Sequence, residues 1–272
     1  MKIVLLEPAE PDSPAAKKLD RIQGLLETKG HAVVRQAADN SMFASLLKHT
    51  PEVVFNLASI YGWKRTNLIP AVLEIAGVKY TGSNLLSLSL ARNYTKRFPL
   101  LMASGVPMAK FVIIKAGSAA IPDGFHFPLT LYCDGIYNEK TIKNLVELKK
   151  ELKNYPARED LVLQEVVTGE KSSIYILDSA PFLAPVNPDY LEPSLKAYEL
   201  LEARGLARFD FVENGSFYLD EIDLSPDPLD ESFLQAAAKH GLDETGILQL
   251  LLKHAGSDLP APRKTLSSRS RK

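Results

Sequence analysis

The sequence predicts an α/β unit built on a parallel sheet, followed by two α+β units. Three observations carry this. Through the first hundred residues short apolar runs alternate with stretches of helical spacing, the rhythm of a parallel sheet with helices on both faces. After about residue 108 that rhythm gives way to strands in closer succession. Near the end, Asn214-Gly215 stands between two alternating runs, the strongest short signal for a hairpin. No internal repeat is visible in the 272 residues.

The elements follow in order. Lys2–Leu6 is a short apolar run suited to a buried strand. Ala16, Leu19, Ile22, Leu25 and Leu26 keep helical spacing, and Gly30 stands where a C-terminal stop is expected. His31–Ala37 and Val53–Leu57 read as strands with a short helix near Ser41–His49 between them. Leu68–Ala76 reads as a helix ended by Gly77, and Val78–Thr81 as a strand. Ser83 can cap a helix running toward Ala103, which Pro99 must bend or interrupt. In the second half, Phe111–Lys115 and Pro128–Tyr132 are predicted strands and Asn138–Tyr155 a long basic amphipathic helix. Leu161–Val167 and Ser172–Leu177 are strands joined through Thr168-Gly169. Leu195–Ala203 is a helix ended near Gly205, Ala207–Leu224 a hairpin, and Phe233–His240 and Ile247–His254 closing helices.

Composition limits the function classes. The chain is 46% hydrophobic and 24% charged, ordinary for a globular protein, so wholesale disorder is excluded. No apolar run approaches the ~18 residues that span a bilayer. The opening MKIVLLEPAEPD reads as neither signal peptide nor anchor. Cys133 is the single cysteine, which leaves no internal disulfide and no Cys-rich zinc site. These features predict a cytoplasmic protein without a membrane partner. The net charge is −1, but residues 257–272 carry +4 and the body −5. An acidic body argues against nucleic-acid binding. The basic, Ser- and Pro-containing tail reads as solvated and disordered.

The segment ARFDFVENGSFYLDEIDL (residues 207–224) has the most chemical content. A two-residue turn at Asn214-Gly215 would set Asp210 opposite Leu219 and Arg208 opposite Glu221. Alternation then puts Arg208, Asp210, Glu221 and Asp223 on one face, with Ala207, Phe209, Phe211, Tyr218 and Ile222 on the other. Three carboxylates on adjacent strands suit Mg²⁺, which takes hard oxygen ligands and shares them with phosphate. A neighbouring arginine can neutralise a phosphate or a developing oxyanion. A wet face with a surface ion pair explains the same pattern.

Other candidates are Glu7, Glu10 and Asp12, at the C-terminal end of the first strand. That is a ligand-prone place in α/β folds, though a solvated acidic loop accounts for them as well. The five histidines show no metal-ligand spacing. Cys133 reads either as a nucleophile or as an inert half-buried thiol. Tyr61 and Trp63 would line a substrate side or pack on a domain joint.

The hairpin, with Ser225-Pro226 after it, resembles the metal-binding hairpin of the D-alanine–D-alanine ligases of the ATP-grasp superfamily. Further stretches resemble that family in the same order: VFNL (residues 54–57), AVLEIAGVKYT (71–81) with Gly82-Ser83, Thr95-Lys96-Arg97, ASGVP (103–107) and LQEVVTG (163–169). The resemblance covers about residues 1–255. It implies an α/β N-terminal domain over 1–88, ATP-grasp-like α+β subdomains over 89–168 and 169–256, and the tail beyond. It implies ATP between the last two units and a reaction that phosphorylates a carboxylate for attack by an amine. By position, Asp210, Glu221 and Asp223 would bind magnesium and Arg208 would stabilise the oxyanion. Gln164, Glu165, Val166 and Val167 would meet adenine. Arg92 and Lys96 would bind nucleotide, and Lys171 stands at the ribose-binding position.

The chain also departs from the family. Tyr132 stands where the second nucleotide-binding lysine is expected, and a phenol at its ordinary pKa brings no positive charge. CDGIYNEK (133–140) replaces a glycine-rich phosphate loop, and its Asp134 and Glu139 would repel phosphate. FLAPVNPDYLEP (182–193) replaces a long lysine-bearing lid. Pro226-Asp227-Pro228 replaces a Pro-Gly turn, and SIYGWKRTN (59–67) lacks the family's substrate-loop pattern. Two functions follow. One is an ATP- and Mg²⁺-dependent carboxylate–amine ligase acting on a small amino-acid-like substrate. The other is a non-catalytic ATP-grasp-like binding or partner subunit, for which a protein partner or a second copy in a homodimer would supply the missing cover.

Overall fold

The computed structural model describes residues 1–61, 68–116, 118, 124–134, 136–155, 159–178, 180–183 and 188–256. The basic tail, Trp63 and most of its loop, and the middle of the 182–193 connection lie outside them. Three separate sheets are present among these residues, one parallel and two antiparallel.

The N-terminal sheet has the order β2-β1-β3, with β1 Lys2–Glu7, β2 Ala32–Ala37 and β3 Val53–Asn56. Both pairings are parallel. Helix α1 (Ser13–Thr28) starts at Asp12, whose carboxylate accepts the Ala15 N–H at 2.8 Å. Glu7 is ion-paired with Arg35. Capping and pairing thus occupy two of the three acids after the first strand. Helices α2 (Met42–His49), α3 (Ala58–Tyr61) and α4 (Leu68–Ala76) follow. The expected strand at Val78–Thr81 is reduced to a single bridge between Val54 and Tyr80. The helix expected from Ser83 to Ala103 is two helices, α5 (Leu85–Ala91) and α6 (Tyr94–Ala103). The break falls at Asn93, not at Pro99, because the Asn93 side chain caps α6 by accepting the Lys96 N–H at 3.0 Å. Asn84, not Ser83, caps α5.

The central sheet runs β4-β7-β5-β6: Phe111–Ile114, Leu161–Glu165, Leu129–Cys133 and Ile136–Ile142, all antiparallel. Here the predicted helix over 138–155 is corrected. Its first part is strand β6, paired to β5 from Leu129↔Ile142 to Cys133↔Ile136. Leu145–Glu151 forms an α-helix (α7) followed by a 3-10 turn over Leu152–Asn154, and the helix begins where Asn144 caps the Glu147 N–H. Leu129, Leu131 and Cys133 turn one face of β5 into the core shared with α7. Thr130 and Tyr132 therefore face the other way.

The third sheet runs β11-β10-β8-β9: Ser216–Asp223, Leu206–Asn214, Glu170–Leu177 and Ala180–Leu183. Strand β9 was not anticipated; the 182–193 connection begins as a strand paired on β8. Helix α8 (Leu191–Leu200) packs on one face with α5 and α6. Helices α9 (Glu231–Ala238) and α10 (Glu244–Lys253) pack elsewhere. Phe233, Leu248 and Leu251 share a core with Ile3, Leu5 and Phe55 of the N-terminal sheet and with Tyr175 of β8. The end of the chain thus closes over its beginning.

The chain leaves the central sheet after Glu165 and enters the third at Glu170. At this crossing a Cβ on Gly169 would lie 1.9 Å from the Glu213 carbonyl oxygen, so only glycine fits without backbone movement. Gly169→Ala is expected to cost about 2 kcal/mol, in the range of overpacking a closed contact. A chemical-denaturation midpoint compared with the parent chain measures this.

Candidate functional site

A cleft of about 560 Å³ opens between the central and third sheets. That lies within the roughly 300–1,000 Å³ of small-molecule sites. Thr130, Tyr132, Glu139 and Thr141 come from β5 and β6 on one side, and Lys171, Glu221 and Ile222 from β8 and β11 on the other. The crossing segment 166–169 forms a third wall, and Tyr94 and Arg97 of α6 a fourth.

The hairpin that supplies Glu221 is not built as the sequence pattern predicts. A type I′ turn needs positive φ at both of its central residues. Gly215 has φ +72°, but Asn214 does not take a positive φ. The strands pair Asn214↔Ser216 and Phe211↔Leu219, one residue out of the expected register. A bulge then brings Asp210 opposite Glu221 and Arg208 opposite Asp223. Near the turn the one-residue slip reverses the faces, so Phe217 and Leu219 join the core rather than Tyr218. Beyond the bulge the two slips sum to one full pleat. Arg208, Asp210, Glu221 and Asp223 therefore do share a face.

On that face Asp210 Oδ1 accepts the Ser173 hydroxyl at 2.7 Å. Its Oδ2 stands 3.2 Å from Arg208 Nε as an ion pair, without the alignment of a hydrogen bond. Asp223 Oδ1 accepts the Ser225 N–H at 2.8 Å. Burial, and then the facing Asp210, push the Glu221 carboxyl above its ordinary range. Burial also raises Asp223. Burial opposes the charge on Arg208, but Asp210 and Asp223 outweigh it and raise its pKa. This face thus holds more negative charge than its arginine balances. The acids are hard oxygen donors, the right chemistry for Mg²⁺, which often takes one or two carboxylates and completes its shell with water and phosphate. Among the described residues no group of three His, Cys, Asp or Glu side chains is already arranged around a metal position.

The structure separates the other predicted residues. Val166, Val167 and Lys171 line the cleft, and Lys171 is held by Asp220 at 2.7 Å. Gln164 is buried, and its side-chain oxygen accepts the Tyr132 hydroxyl at 3.1 Å. Glu165 accepts the His126 N–H at 2.8 Å. Arg92 ends α5 and Lys96 is exposed on α6; neither lines the cleft, although Asp223 feels the Arg92 charge. Asp134, expected to repel phosphate, accepts the Thr95 hydroxyl at 2.6 Å at the start of α6. Glu139 does face the cleft, where its carboxylate accepts the Tyr94 hydroxyl at 3.2 Å. Cys133 is buried with its thiol toward Glu159 at 3.2 Å and is pushed up to about 12 by burial and that carboxylate. A thiol so disposed is protonated and unreactive at neutral pH.

Sequence reasoning missed Arg97. It is 6% exposed and lies beside Tyr132, Tyr94 and Phe98. Tyr132 lies tilted by 32° against Tyr94 at 4.6 Å between centroids and meets Phe98 edge-on at 5.4 Å. Burial raises the pKa of its phenol further. The missed signal was the unusual run Tyr94-Thr95-Lys96-Arg97-Phe98, where one basic residue belongs to the buried face of the helix.

No protein-family model matches the chain. The D-alanine–D-alanine ligase of Francisella philomiragia is 25% identical over 273 residues, covering 86% of this chain and 90% of that protein. An uncharacterised protein of Sinorhizobium fredii is 27% identical over 185 residues, 63% of this chain and 54% of that one. The crystal structure of D-alanine–D-alanine ligase from Bacillus anthracis complexed with ATP superposes with a TM-score of 0.76 at 17% identity, covering 93% of this chain and 97% of that one. The chain is therefore D-alanine–D-alanine ligase-like at low identity over most of its length. Its fold is the parallel N-terminal sheet followed by the antiparallel sheets of the ATP-grasp central and C-terminal parts.

The raised Glu221 carboxyl has a signed consequence. The folded state favours its proton, so its charge costs nothing below the ordinary value of 4.5 and is felt in full above the raised one. Glu221→Gln is expected to stabilise the chain at neutral pH by roughly 0.5 kcal/mol, the scale of a like-charge cross-strand pair. The gain should vanish in unfolding curves recorded below pH 4.5.

Proposed function

We propose that this chain binds ATP with Mg²⁺ in the cleft between the central and third sheets, on a carboxylate–amine ligase scaffold of D-alanine–D-alanine ligase type. The observation that supports this most is Glu221 in the wall of a nucleotide-sized cleft, with Asp210 opposite it on the β10–β11 hairpin. Val166 and Val167 would take the base against the crossing segment, and Lys171 the sugar. Asp210 and Glu221, with Asp223 behind them, would hold Mg²⁺ against the phosphates. The excess negative charge on that face favours a divalent cation. ATP supplies the phosphoryl group that activates a carboxylate. Arg208 sits beside these acids, placed to stabilise the oxyanion that forms when an amine attacks. The substrate would be a small amino-acid-like molecule.

A second reading, a binding subunit without turnover, draws support from Tyr132. Where the resemblance calls for a lysine, a buried phenol packs among Tyr94 and Phe98 and hydrogen-bonds Gln164. Positioned charge supplies much of the catalysis in such sites.

Calorimetric titration with ATP, with and without Mg²⁺, followed by ADP release with D-alanine and a panel of other amino acids, separates these readings. The expected ATP affinity is no tighter than about 1 μM. A lysine and a loop of donors are replaced, and each charge-assisted bond is worth about 1.5–3 kcal/mol. Affinity should weaken further when Mg²⁺ is withheld or in Asp210→Asn. Peptide formation abolished by Glu221→Gln would establish the ligase. Mg²⁺-dependent binding without ADP release would establish the binding subunit.

A further inference from the structure

Arg97 is a buried cation that the fold has not neutralised. Its Nη1 donates to the Ala91 carbonyl at 2.5 Å, which closes the end of α5. Its guanidinium lies 4.7 Å from the Tyr94 ring centre and 5.2 Å from that of Phe98. Its Nε is buried with no hydrogen-bond acceptor, and among the described residues it forms no ion pair. Guanidinium stays protonated in proteins, so burial cannot be relieved by losing the charge. Burial does press its pKa downward. A buried charge left unpaired is among the more costly features a fold can keep. The aromatic faces recover part of that cost, but they leave donors unused.

The surroundings show where an anion could meet it. Arg97 lines the cleft, and the other cation of the lining, Lys171, is already held by Asp220. Tyr132, at the expected lysine position, packs against Tyr94 and Phe98, the same two rings that flank the guanidinium. The carboxylates of Glu139 and Glu221 are in the cleft wall, at a distance that leaves Arg97 without a salt bridge.

We propose that Arg97 is the anion anchor of this cleft: its guanidinium receives the phosphates of the bound nucleotide and supplies from helix α6 the positive charge that Tyr132 does not supply from strand β5. The forked donors match phosphate oxygens, and the Tyr94 ring, 4.7 Å away, packs against the guanidinium. This rests on the cleft being the nucleotide site, and it names a phosphate-binding residue within it. Phosphate would enter on the α6 side of the cleft, so a ligand with its anionic end there is preferred over an uncharged one.

The test compares adenosine, ATP and tripolyphosphate as ligands of the parent chain, Arg97→Met and Arg97→Lys, by calorimetry in Mg²⁺. The parent should prefer ATP over adenosine and bind tripolyphosphate. Arg97→Met should lose about 10- to 100-fold in affinity for ATP and tripolyphosphate while adenosine binds as before, and Arg97→Lys should restore part of it. Unchanged adenosine binding by Arg97→Met shows that the variant is folded. If Arg97 only closes helix α5, Arg97→Met lowers the unfolding temperature but leaves the ratio of ATP to adenosine affinity unchanged, and the proposal is overturned. If adenosine fails to bind the parent while tripolyphosphate binds through Arg97, the anion anchor stands and the nucleotide reading falls. If no phosphate compound distinguishes the parent from Arg97→Met, the anchor falls whether or not adenosine binds.

Discussion

The close approach of Gly169 to the Glu213 carbonyl governs where the cleft lies. At that point the chain has left one antiparallel sheet and joins another, and the two sheets are held apart by a four-residue crossing. Val166 keeps its N–H on the Pro128 carbonyl, so the crossing is tied to the central sheet at one end. Gly169 presses on the hairpin strand at the other. The cleft walls are the two sheet faces turned toward this crossing, and their side chains are set by strand alternation. The core faces of the same strands are filled separately, by α7 on one side and by α5, α6 and α8 on the other.

A second constraint is electrostatic. The hairpin face carries three carboxylates and one arginine, and burial raises the cost of the Glu221 and Asp223 charges. Among the described residues the central sheet contributes Glu139 to the same space and no cation. Strand β5 presents a phenol where a lysine would have offset this. The positive charge that remains is on Arg97, one turn into α6, held between aromatic rings. Cation and carboxylates thus stand on different walls, a separation that suits a ligand with its own charges to place between them, such as a phosphate chain carrying Mg²⁺.

Much of the frame was legible along the chain. Parallel strands β1 and β3 show as apolar runs because both of their faces are covered, by α1, α9 and α10 on one side and α2 and α4 on the other, whereas edge strand β2 is only partly buried. Elements defined by local caps were less certain. Ser83 and Asn84 are equally plausible caps by residue type; the Asn84 side chain accepts the Ser87 N–H, while the Ser83 hydroxyl is taken up by the Arg204 backbone. The 138–155 segment misled because Ile142, Leu145, Leu148 and Leu152 keep a helical spacing, although the residues up to Ile142 form a strand paired with β5, which directly precedes it. A strand bound to its neighbour through the backbone leaves a weak mark in side-chain periodicity.

By itself the sequence determined the parallel N-terminal sheet and the presence of the hairpin at Gly215, but not the full order of strands and helices. Arg208, Asp210, Glu221 and Asp223 share a face as alternation predicts, but only because a slip at the turn and a bulge at Asp220, neither signalled by the sequence, together shift the register by one full pleat. Tertiary structure decided which residues meet across the cleft. Lys96 and Arg97 are adjacent basic residues; one points to solvent and the other is buried, because the rotation of α6 is set by Phe98 and Leu101 packing beneath it. Helix phase and the distance between sheets arise from packing among segments far apart in the chain, and local pattern carries no record of them.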